Sequence, residues 1–184
     1  MLAASSPPGA SAGGAKVIAF YQANTTHAKT SDILITVGFA FFLLFAGSLR
    51  THLRGTAGAE GLSAVLLAGA AVLTAGAAVY FGADFVLAMM PATIDPAAAQ
   101  ALNMLALHLV LPLSAGGLVF GLAAGVAIAR WASLPRWLGW TAILIGIALA
   151  SPALIVGVAA LALWTATVSI LVFRRATTAA DTTD

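Results

Sequence analysis

Apolar residues run along this chain in stretches of 18 or more, broken by short polar connections, and that pattern predicts membrane-crossing helices. The first run, ILITVGFAFFLLFAGSL, follows a Thr30 or Ser31 cap and predicts a span over about 32–49. The polar connection RTHLRGTAGAEG separates it from a second span over about 62–90, which stops at Pro91. Asp95 stands where it can cap a third helix and Pro96 occupies its first position, where a missing N–H costs nothing. That third span covers about 97–130, and Pro112 inside it predicts a kink near Ser114–Gly117.

The run from Leu138 to Phe173 decides the count of crossings. As one helix its 36 residues would be about 54 Å long, too much for about 30 Å of hydrocarbon at ordinary tilt. Ser151–Pro152 sits near its middle, so the pattern predicts two spans, about 137–150 and 153–173. The fold class expected is therefore all-α, a polytopic transmembrane helical bundle of five spans, or four if 138–173 form one helix. Residues 1–31 form a flexible outer tail rich in Ala, Ser, Gly and Pro, within which 16–24 is a candidate short amphipathic helix lying at the membrane surface. Residues 176–184 form a cytoplasmic tail.

Composition strengthens this picture. Hydrophobic residues make up 61% of the 184 positions and charged residues 8%, against about 25% charged in a soluble domain. A bilayer is the solvent that accepts such a chain, so membrane lipids are its first partners. The formal charge of +2 comes from scattered basic residues, which excludes a nucleic-acid partner. Cysteine is absent, removing disulfides, thiolate metal sites and cysteine nucleophiles together.

Charge placement predicts orientation. With five spans, Arg50, Arg54, Arg130, Arg136, Arg174 and Arg175 fall on one side, and Lys16 and Lys29 on the other. The arginine side is cytoplasmic by the positive-inside rule, which puts the N-terminus outside the plasma membrane and the C-terminus in the cytoplasm.

Three groups of residues are candidates for function. Gly117, Gly121 and Gly125 recur every four positions and lay a smooth stripe on one helix face, suited first to packing within the chain and second to a homo-oligomer or a membrane-protein partner. Asp84 and His108 are polar residues of long apolar runs, about 34 Å from Gly61 and about 33 Å from Arg130 along their helices. At that matching outer level they form a candidate ligand or proton site, with Tyr80 on the same face as Asp84. Asn103 turns off that face, and His27 and His52 belong to polar connections. Trp131, Arg136, Trp137 and Trp140 make an interfacial belt that anchors helix ends at the headgroups.

No metal-ligand spacing, phosphate-binding loop or nucleophile motif occurs, so neither a metal nor a cofactor is expected and no enzyme class is indicated. The leading expectation is a non-enzymatic structural or accessory membrane protein; a small transporter or channel built on Asp84 and His108 is the alternative, and an intramembrane enzyme comes third.

The stretches Ala19-Phe20-Tyr21-Gln22-Ala23-Asn24, Asp95-Pro96 through Asn103 and Leu134-Pro135-Arg136-Trp137-Leu138-Gly139-Trp140 resemble an uncharacterised actinobacterial-type family of multi-pass integral membrane proteins. The likeness runs over most of the chain from about Lys16. It implies the same helical architecture and brings no activity with it. Members of that family often carry one more hydrophobic helix ahead of the AFYxxN stretch, which would make six spans with the same orientation.

Overall fold

The computed structural model describes residues 8–9, 11–56, 58–131 and 134–181, with side chains described as far as 174. The described residues form helices and connections without strands. Among the described residues six helices follow one another: α1 (Gly14–Arg54), α2 (Glu60–Met89), α3 (Pro96–His108), α4 (Val110–Arg130), α5 (Arg136–Leu149) and α6 (Leu154–Asp181).

Among the described residues four stretches are long and apolar enough to cross a membrane: α1, α2, the pair α3 and α4 taken together, and 154–174 of α6. α5 is apolar too but only 14 residues long. Their outward faces carry large apolar side chains, Ile155 at 84% exposure being the extreme, and a surface of that kind is stable only against lipid or another protein. The chain is a multi-pass membrane protein on these grounds.

Two compact units divide the chain, and α1, α2 and α4 contribute to both. Unit 1 contains 1–40 and 74–112; unit 2 contains 41–73 and 113–184.

In unit 1 the first part of α1 corrects the expected tail. Residues from Gly14 onward are helical, and Val17 and Tyr21 are buried with Leu87 and Ala88 of α2 and Ala99 of α3. The apolar face of 16–24 is therefore core and not a surface-lying face, because those neighbours cover it. Residues 1–7 and 10 of the tail lie outside the described residues.

Neither Thr30 nor Ser31 caps a helix. The Thr30 hydroxyl donates back to the Thr26 carbonyl at 2.9 Å, and Thr25 does the same to Tyr21 at 2.6 Å, so both threonines stay inside a continuing helix. The single interruption is Asn24, at φ −119° and ψ 16°, whose Nδ2 donates to the Phe20 carbonyl at 2.9 Å. α1 is thus two helical pieces joined at one residue.

The break before Pro112 also lies elsewhere than expected. The chain leaves the helix at Leu109 and resumes at Val110, while Ser114–Gly117 remain regular. Proline's ring collides with the carbonyl four residues earlier, here His108, so the disturbance falls on the N-terminal side of the proline. The Asp95 cap forms: its side chain accepts from Ala97 N at 2.8 Å and Ala98 N at 3.4 Å, with Pro96 opening α3.

In unit 2, α5 ends at Leu149 and α6 starts at Leu154, so 138–173 is two helices, parted at Ser151–Pro152. The Trp164 indole N–H donates to the Leu138 carbonyl at 2.9 Å and joins α6 to α5. Phe42, Phe45, Phe120 and Trp164 pack edge to face or tilted, with neighbouring ring centroids 4.9–6.4 Å apart. α6 continues helically to Asp181, through most of the expected cytoplasmic tail; 182–184 lie outside the described residues.

Candidate functional site

Polar groups from α1 and α2 meet in unit 1. Tyr21 and Asp32 stand on the two helical pieces of α1, on either side of Asn24. On α2, Tyr80 and Asp84 are one turn apart. The structure brings these four side chains into one neighbourhood. The Tyr21 hydroxyl donates to Asp84 Oδ1, Asp32 and Asp84 are near enough to influence one another electrostatically, and the Tyr80 phenol stands near both.

Asp32 is the unusual member. It is 5% exposed, and its Oδ2 is buried with no hydrogen-bond partner. A carboxylate away from water is costly unless paired, and one inside an apolar helix marks a functional position by default.

Asp32 also lines a cleft of about 330 Å³ between α1 and α2, at the lower end of the volumes that small-molecule sites occupy. From α1 the cleft takes Asp32, Ile33, Thr36 and Val37; from α2 it takes Ala78, Phe81, Gly82 and Phe85. The wall has a simple origin in sequence. Ala78 and Gly82 are small residues one turn apart, leaving the groove open, while Phe81 and Phe85 repeat at the same spacing beside them. A Cβ built on Gly82 would meet nothing within 4 Å, so this glycine faces empty space instead of a neighbouring backbone. Phe81 is held by Tyr80, edge to face at 4.9 Å, and by Phe39 at 6.3 Å.

His108 has a different surrounding from the one its height along the helix implied. It is exposed, and its Nδ1 lies 2.7 Å from the Met104 carbonyl of its own helix, at the end of α3. Asp84 is partnered instead by Tyr21. Asn103, five positions before His108 and so turned off its face, is buried and donates to the Gly9 carbonyl at 3.3 Å.

The glycine stripe is occupied within unit 2. A Cβ on Gly121 would come 2.6 Å from the Ala142 carbonyl oxygen, and one on Gly125 2.6 Å from the Gly139 carbonyl oxygen. Gly117 faces Leu149, and Gly116, outside the four-residue repeat, faces the Leu73 backbone. Trp137, Trp140 and Arg136 are exposed at the start of α5, and Trp131 covers the turn at Gly58 with the Arg130 guanidinium 5.9 Å from its ring. Among the described residues no group of three or more His, Cys, Asp or Glu could hold a metal ion.

Sequence reasoning found Tyr80 and Asp84 but missed Tyr21 and Asp32. The available signal was an acid, Asp32, at the head of a long apolar run. No family model, curated protein or solved structure matches the chain.

Proposed function

We propose that the chain is a non-enzymatic protein of the plasma membrane that binds and passes a cation at the acidic cleft of unit 1. The observation that carries this reading is Asp32, a buried carboxyl group with an unpartnered oxygen in the wall of a cleft. Asp84 adds a second negative charge nearby and is itself held by Tyr21, which leaves Asp32 as the group free to take a ligand. In a low-dielectric setting an entering cation would be attracted by both carboxylates. Asp32→Asn and Asp84→Asn should each reduce cation flux in proteoliposomes; wild-type flux in both variants would remove the cleft from consideration.

The same reading carries five crossings with the N-terminus outside and the C-terminus in the cytoplasm, supported by the placement of six arginines. Because the chain has no cysteine, single thiols introduced at Thr56 and Thr177 report topology without background. They should label from the same side of the membrane, and labelling from opposite sides would overturn the orientation.

An accessory role, the leading expectation from sequence, becomes the second reading, favoured by the apolar face that α6 leaves exposed at Ile155, Leu163 and Ile170. It predicts a stoichiometric partner on purification in mild detergent. A chain that consistently purifies alone would count against it.

A further inference from the structure

Resting on the cation-binding reading above, we infer that the cleft takes an organic ammonium ion with an apolar or aromatic body, and not a bare metal ion. The walls decide between these classes. Calcium or magnesium requires about six or more oxygen ligands, and Asp32 and Thr36 are the polar side chains in the lining. The described residues contain no group of three His, Cys, Asp or Glu that would complete a coordination shell.

What the cleft offers instead is the side chain of Asp32, whose Oδ2 is buried without a partner, and the rings of Phe81 and Phe85. An alkylated ammonium gives up its hydration more readily than a small metal ion does. It can set its charge against Asp32 and its methyl or ring surface against the phenylalanines, gaining a cation–π contact as well. Thr36, one turn beyond Asp32 on α1, supplies a hydroxyl at the same wall. The empty space at Gly82 is where the apolar body sits.

The test uses the full chain in lipid nanodiscs with radiolabelled benzyltrimethylammonium as the probe. Neopentylbenzene, which replaces the charged nitrogen by carbon, is the neutral competitor, and labelled sodium is the metal comparator. Saturable binding is expected for the ammonium, with no displacement by neopentylbenzene. Asp32→Asn should weaken it at least about tenfold, the size expected when a buried charge loses its partner. Gly82→Leu should abolish it by filling the cleft, and because nothing lies within 4 Å of that Cβ the variant should keep the wild-type melting temperature.

Displacement by the neutral analogue as effective as by the ammonium itself would overturn the inference, since charge would then contribute nothing. Asp32-dependent sodium binding without ammonium binding would overturn it while leaving the cation site standing. Failure of both cations to bind in an Asp32-dependent way would bring down the inference and the cation-binding reading together.

Discussion

Gly121 and Gly125 in unit 2 and Gly82 in unit 1 do opposite things. In unit 2 backbones are brought together: Gly121 and Gly125 of α4 lie against Ala142, Gly146 and Gly139 of α5, with no room for a methyl group. In unit 1 Gly82 keeps a wall open, and a methyl group there would touch nothing. The residue type and the small-residue spacing look alike in sequence, and only the packing partner separates a seam from a cleft. Without a hydrophobic force between helices in lipid, close backbone approach is a main source of cohesion, which is why the seam lies where polar groups are few. The cleft lies where they gather, around Asp32 and Asp84.

The largest effect should come from putting a side chain into the seam. Gly121→Leu drives carbons into the Ala142 carbonyl and the Gly146 backbone and should destabilise the chain by about 3 kcal/mol or more, read as a large drop in melting temperature in detergent. Gly82→Leu is the matched control, and equal losses in the two variants would erase the contrast between the units.

A middle-sized effect belongs to the polar cluster. Tyr21→Phe removes the donor to Asp84 Oδ1 and leaves a part-buried acceptor unmet, at a cost of about 1–2 kcal/mol. Thermal unfolding should show it, and an unchanged midpoint would mean that water satisfies Asp84 equally well. The smallest effect should be that of His108→Gln, on an exposed side chain bonded within its own helix, within about 0.5 kcal/mol and without change in cation binding. A clear loss of binding there would restore His108 to the site.

Much of the helical order was legible because apolar runs in a membrane chain have few alternatives to helix. The break at Ser151–Pro152 and the Asp95 cap could be read from residue chemistry alone. The Asn24 interruption could not, since asparagine in an apolar helix signals nothing until its side chain is seen folded back on Phe20. The site was half legible for a related reason. Depth along a helix can be counted from its ends, which put His108 level with Asp84, but the direction a side chain faces depends on which helix packs beside it. Tyr21 and Asp84 are 63 positions apart, and no local pattern states that they meet.

The interruption at Asn24 gives α1 a degree of freedom that an unbroken helix lacks. Along a regular helix the azimuth of Tyr21 would dictate that of Asp32, so aiming one side chain would aim the other. With non-helical dihedrals between them, the two pieces of α1 can be set independently: one turns Tyr21 toward Asp84, the other turns Asp32 into the cleft. Asn24 therefore acts as a joint: the aim of Asp32 can be set while the Tyr21 contact with Asp84 stays in place.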